Sequence, residues 1–202
     1  MGFTTEQEDF WAGEFGFDYI SRNQGHNLLV SNLNFFTKAF GQAGKINSCI
    51  EFVANIGMNL KALKLLYPEI GLQGVEINEA ACNELQSLIG DQNTYHTSIF
   101  DFPVSKQFEV SLINGVLIHI KPDKLALVYE QLYKASSRYI LIAEYYNPSP
   151  VAIPYRGHQD RLFKRDFAGE FLDIFSDVTL VDYGFSYHRD PAFPQDDITW
   201  FL

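Results

Sequence analysis

Residues 46–59 read INSCIEFVANIGMN, and the rest of the chain is arranged around them. Ile46, Cys49, Ile50 and Phe52 make a short apolar strand with Glu51 near its end. A tight turn holding Gly57 follows. Met58 to Tyr67 then carry the leucine spacing of a helix, which Pro68 stops. A second apolar strand, 70–77, ends at Glu76, about 20 residues beyond the turn. Strand, turn, helix, strand and carboxylate is the layout of a nucleotide-binding βαβ unit. The first carboxylate can face an amine of a ligand. The turn lets the ligand approach the backbone, and the second carboxylate can accept from ribose hydroxyls.

The same alternation continues outward. Residues 27–42 have helical spacing at Leu29, Leu33, Phe36 and Phe40, and Gly41 and Gly44 end that helix. Asn78 reads as the cap of a helix over 79–89. Strands are expected at 93–99, 108–113, 138–144, 178–183 and 196–202, with a helix opened by Pro122 and another over 166–175. This predicts one α/β domain with a Rossmann-like, seven-stranded, mostly parallel sheet and helices on both faces. Residues 1–44 form a helical lid belonging to the same domain, and 45–202 form its core. The opening helix, capped at Thr4 or Thr5, runs into FWAGEFGFDYISRN (10–23). That aromatic segment suits either a hydrophobic cover on the core or a gate turning Tyr19, Arg22 and Asn23 toward a ligand.

Composition limits what the chain can do. It has 202 residues, enough for one domain with a full core. The net charge is −10 and the pI about 4.8, which argues against a nucleic-acid backbone as the main partner. A local basic stretch at 156–165 better suits a small anion. Cys49 and Cys82 read as reduced core residues, which points to a cytoplasmic setting. No apolar run approaches the ~20 residues of a membrane span, and no signal peptide opens the chain. The histidines and carboxylates show no close metal-ligand spacing, so no metal is expected.

Other stretches carry chemistry. Ser98 and Asp101 after the third strand can meet a purine amino group, with Phe100 or Phe102 beside the ring; the same residues also suit a polar turn with an aromatic plug. Asn114, Gly115 and His119 lie at the carboxyl end of the fourth strand, where open α/β sheets bind ligands. His119 fits a general base or a satisfied core histidine. After Glu144 comes a loop of about 17 residues, long against the usual ~4–6 and therefore a candidate functional segment. Pro148, Pro150 and Pro154 stiffen it, and Tyr155, Arg156, His158, Arg161, Lys164 and Arg165 concentrate polar groups in it.

FWAGEFGFDYISRN, EFVANIGMNLKAL (51–63), NGVLIHI (114–120), LIAEYYNPSPVAIPYRGHQDRLFKRDFAGE (141–170) and FPQDDITWFL (193–202) together resemble the pseudaminic acid biosynthesis-associated methylases. These are Rossmann-like S-adenosylmethionine-dependent methyltransferases, and the resemblance covers nearly the whole chain. It implies a last strand running antiparallel beside the fifth. It also implies methyl transfer from S-adenosylmethionine to a nitrogen or oxygen of a small polar acceptor. The acceptor implied is an amino or acidic sugar of the nonulosonic type, or its nucleotide-linked precursor. The chain departs from the resemblance at one place: the turn there reads EFGANIG, and Val53 stands where its first glycine is expected. If that position needs a positive φ, valine is costly.

In that setting Glu51, Val53, Ala54, Asn55 and Gly57 hold the methionine part of the cofactor, and Arg22 pairs with its carboxylate. Glu76 and Ile77 take the ribose, Asp101 and Phe102 the adenine, and Asn114 and Gly115 line the cofactor edge. Trp11, Tyr19, Tyr145, Asn147, Tyr155, Arg156 and His158 shape the acceptor pocket. Arg156, Lys164 or Arg165 suits a sugar-acid carboxylate or a phosphate. His119, Glu144 and Tyr146 are candidates to take the acceptor's proton. The partner expected is a small molecule, met by a monomer or homodimer, with no nucleic acid and no membrane. The turn VANIG lacks the three glycines of a dinucleotide oxidoreductase. A catalytically impaired binding protein with the same fold is the other reading, motivated by Val53.

Overall fold

The computed structural model describes residues 8, 11–13, 25–155 and 158–202. In chain order the elements are α1 (His26–Ala39), β1 (Ser48–Phe52), α2 (Met58–Leu66), β2 (Gly71–Glu76), α3 (Glu79–Ile89), β3 (Thr94–His96), β4 (Phe108–Asn114), α4 (Leu125–Ala135), β5 (Ser136–Glu144), β6 (Val151–Tyr155), β7 (His158–Lys164), α5 (Phe167–Ile174), β8 (Tyr183–Phe185) and β9 (Thr199–Phe201). The main sheet has the order β3-β2-β1-β4-β5-β9-β8. β3, β2, β1, β4 and β5 run parallel, while β9 is antiparallel to both β5 and β8. The α/β fold and the seven strands are as the sequence predicts, and the last strand is antiparallel as the resemblance implies.

Both faces of the central strands are buried, and residues alternate between them. Cys49, Val110, Leu112, Leu141 and Ala143 pack on the face covered by α1 and α2, joined there by Leu85 of α3. Ile50, Phe52, Ile113 and Ile142 pack on the other face, under α4 and α5. Glu51 follows the alternation onto the side of Cys49, so a carboxylate stands at the end of a strand buried on both sides. Cys49 and Cys82 are buried and unpaired. Asn78 caps α3 by accepting from Ala81 N at 3.1 Å.

Two strand expectations shift. The sixth main-sheet strand pairs at 183–185 rather than 178–183, because residues 181–182 meet the chain end only through bonds to Leu202. The long segment after Glu144, expected as a loop, contains the separate antiparallel hairpin β6–β7. Pro154 sits inside β6, and the register slips there, between Ile153 and Tyr155, where proline offers no N–H to the ladder. A two-stranded hairpin has only edges and tolerates this. β7 packs against the turn 117–119 and so brings the hairpin to the sheet's carboxyl edge. The opening helix and most of the aromatic lid lie outside the described residues. No described helix is long and apolar enough to cross a membrane.

Candidate functional site

The strand order reverses direction between β1 and β4, and a crevice opens there beyond the strands' carboxyl ends. It holds a cavity of about 870 Å³, within the range of small-molecule sites. Its floor is the turn 53–57, which makes three backbone excursions: Val53 has φ 60°, Asn55 φ 50° and Gly57 φ 79°. Ala54 N donates to Val75 O and Gly57 N to Ala54 O, each at 2.9 Å, which fixes the turn against β2. Gly57 opens α2, and a Cβ there meets Leu85 and Leu88 within 3 Å. Val53 takes the left-handed conformation that glycine favours, at a cost of about 1–2 kcal/mol.

Two buried carboxylates face this turn. Glu76 accepts from Asn55 N and Asn78 N, one at each oxygen, both at 2.7 Å. Burial raises its pKa, and those backbone donors pull it back down. Each oxygen keeps a further lone pair for a ligand donor. Glu51 is 2% exposed, and its Oε1 accepts from Asn59 Nδ2 at 2.6 Å. Its Oε2 is buried with no hydrogen-bond partner among the described residues. Burial pushes the Glu51 carboxyl up to about 8; the Asn59 bond lowers it and the Glu76 charge raises it. An acceptor in such a place calls for a donor, and a ligand ammonium supplies both the donor and the countercharge.

Twelve of the expected residues line the cavity: Trp11, Glu51, Val53, Ala54, Asn55, Glu76, Ile77, Asn114, Gly115, His119, Tyr145 and Lys164. The His119 ring lies 4.8 Å from the Trp11 ring. Lys164 Nζ sits 5.0 Å over the Tyr145 ring. Gly115 has φ 67° with open space where a Cβ would stand. Ser98 and Phe100 also reach the wall, and Ser98 Oγ accepts from Phe100 N at 3.1 Å.

Other expected residues are placed elsewhere. Gly57 shapes the turn from behind, against α3. Asp101 is exposed off the wall, and Phe102 is core, edge-on to Phe52 and Tyr95; Phe100 is the ring at the cavity. Glu144 does not reach the cavity. Its Oε1 accepts from Val116 N and Leu117 N, both at 2.7 Å, so it clamps the turn after β4. Tyr146 is exposed and leans toward Phe201 on the outer side. Asn147 bonds Ser149 O, and Arg165 is paired with Glu170, which also accepts from Tyr129. Tyr19, Arg22 and Arg156 lie outside the described residues, as do the side chains of Tyr155 and His158. Among the cavity residues that carried no expectation are Asn32, Asn59 and Gln195. Asn32 breaks the apolar stripe of α1, and that was the signal available in the sequence.

No protein-family model matches the sequence, and the curated proteins offer no match either. Solved structures do match. A Burkholderia thailandensis 1,6-didemethyltoxoflavin-N1-methyltransferase, solved with bound 1,6-didemethyltoxoflavin and S-adenosylhomocysteine, is 15% identical with a TM-score of 0.68, over 96% of this chain and 84% of that one. The sugar N-methyltransferase KedS8 of Streptoalloteichus is 12% identical with a TM-score of 0.62, over 100% and 97%. The glycopeptide N-methyltransferase MtfA is 12% identical with a TM-score of 0.64, over 85% and 94%. The likeness is one of fold.

Proposed function

We propose that the protein is an S-adenosylmethionine-dependent methyltransferase acting on a small polar acceptor. The observation that carries this is the buried Oε2 of Glu51, without a hydrogen-bond partner among the described residues, at the carboxyl end of β1 beside Glu76 at the end of β2, in a fold shared with methyltransferases. A buried carboxylate oxygen without a donor fits an ammonium, and a second carboxylate one strand away fits vicinal hydroxyls. Glu51, Ala54 and Asn55 then hold the amino-acid part, Glu76 and Ile77 the ribose, and Ser98 and Phe100 the base. Gly115 leaves room at the cofactor edge. The cofactor supplies a methyl group on a sulfonium, already activated for transfer.

The protein's part is alignment and exclusion of water more than strong acid or base chemistry. His119 lines the cavity, and we assign it to accept a proton from an acceptor nitrogen or oxygen. Lys121 and Lys164 also line the cavity and suit an acidic acceptor. With the sequence resemblance, this favours an amino or acidic sugar of the nonulosonic type or its nucleotide-linked precursor. The impaired-binder reading keeps one observation, the left-handed Val53. Calorimetric titration with S-adenosylmethionine and S-adenosylhomocysteine, followed by acceptor screening, tests both. Micromolar binding with turnover on an acidic or amino sugar supports the enzyme; binding without turnover on any small acceptor supports the binder; no binding removes the cofactor assignment.

A further inference from the structure

Four polar side chains from four separate parts of the chain form one hydrogen-bonded row along the cavity wall. Gln195 Nε2, from the segment between β8 and β9, donates to Asn32 Oδ1 of α1 at 2.7 Å. Asn32 Nδ2 donates to Asn59 Oδ1 of α2 at 2.9 Å. Asn59 Nδ2 donates to Glu51 Oε1 of β1 at 2.6 Å. All four line the cavity. Asn32 is 3% exposed beside Phe35 and Phe36, a place where an amide is costly unless both its ends are bonded.

The row has a direction, and Glu51 sets it. With an ammonium bound Glu51 is ionised, and an ionised carboxylate only accepts, so Asn59 then gives its NH2 to Glu51 and its carbonyl to Asn32, the arrangement the structure has. Asn32 must then give its NH2 to Asn59 and its carbonyl to Gln195, which has to donate. Each amide is oriented by its neighbour nearer Glu51. The row in turn occupies Oε1 and leaves Oε2 as the open oxygen. Its far end is the segment that gives His188, Pro194 and Gln195 to the cavity wall.

We propose that Asn59, Asn32 and Gln195 are positioning residues that orient Glu51 for the ligand ammonium and couple that grip to the 186–198 segment. The inference rests on the cofactor reading above. By linkage, an acceptor that draws the segment inward tightens the hold on the cofactor, and the cofactor does the same for the acceptor.

The test is calorimetry on the full chain with two probes: S-adenosylhomocysteine, and methylthioadenosine, which lacks the amino-acid part. Asn59→Leu is expected to weaken S-adenosylhomocysteine about tenfold or more, and Gln195→Leu about threefold to tenfold. Methylthioadenosine is expected to stay within about twofold for both, which also shows that the variants fold. Gln195→Glu keeps the volume but cannot donate to Asn32, so it is expected to match Gln195→Leu. The double variant Asn59→Leu/Gln195→Leu is expected to be no weaker than Asn59→Leu alone, because Gln195 acts through a link already cut. Equal weakening of both probes, additive losses, or an unchanged Gln195→Glu overturns the coupling and leaves the cofactor reading standing. A wild-type chain that binds methylthioadenosine or nothing, but not S-adenosylhomocysteine, overturns both. Gln195 is half-buried in a loop, so its variants decide the matter even if Asn59→Leu does not fold.

Discussion

Glu51 and Glu144 look alike by every local measure. Each stands at the carboxyl end of a central strand, each is 2% exposed, and in each Oε2 is buried without a partner among the described residues. Burial pushes both carboxyls up to about 8. They differ in what holds Oε1. Glu51 is held by one side-chain amide and opens on the cavity; Glu144 is held by backbone N–H groups of the turn after β4 and is closed off from it. A side-chain donor leaves a carboxylate available to a ligand. Backbone donors turn it into a brace. An acid at a strand end is therefore a site or a scaffold according to the donors that reach it.

The largest effect separates the two. Glu51→Ala is expected to weaken S-adenosylhomocysteine about 100-fold, since it removes the countercharge of a buried ammonium. Glu144→Gln is expected to change binding by no more than about threefold: the amide carbonyl can still accept from Val116 N and Leu117 N, and its NH2 replaces an oxygen that had no partner. Calorimetry reads both. A comparable loss in Glu144→Gln breaks the comparison and returns Glu144 to the acceptor pocket.

The two carboxyls also set opposite pH trends for binding and stability. Both are raised from 4.5 to about 8 in the folded chain, so the folded state keeps protons that the unfolded state has lost. Their contribution to stability is fully present below pH 4.5 and is lost as pH rises to about 8. Thermal unfolding of the free protein should therefore fall in Tm across that window, and Glu144→Gln should reduce the slope. Affinity for an ammonium ligand moves the other way. It rises toward pH 8 as Glu51 ionises, by at most about tenfold per unit, and then levels. A pH-independent affinity in Glu51→Gln, beside a rising one in Glu144→Gln, assigns the trend to one residue.

The first βαβ unit was legible because its signals are local: strand alternation, the turn, the helix spacing and two acids all fall between Ile46 and Glu76. The Asn78 cap and the antiparallel last strand were legible for similar reasons, one from a cap residue and the other from resemblance. The β6–β7 hairpin was hidden because Pro148, Pro150 and Pro154 read as loop, and a free-standing hairpin tolerates a proline that a central strand does not. The choice between Phe100 and Phe102 depends on which face the turn 97–101 presents, and no residue there announces it. The row from Gln195 to Glu51 was hidden most deeply, since its links join residues 27 and 163 apart in sequence. Only the fold brings such amides together.

Val53 makes the smallest effect and bears on the turn that the open glutamate shares. Val53→Gly relieves a left-handed valine worth about 1–2 kcal/mol. Against that stand about 0.5–1 kcal/mol of backbone entropy and the contact of a partly buried side chain with the second core cluster. The opposing terms nearly cancel, so Tm is expected to move by no more than about 4 °C, which differential scanning calorimetry resolves. The turn keeps its left-handed shape with valine in place, so S-adenosylhomocysteine should bind the variant and the wild type within about threefold. A gain above tenfold in the variant means that the valine methyls take space the ligand needs. The open glutamate would then stand beside an obstructed turn, and the impaired-binder reading would be the one to pursue.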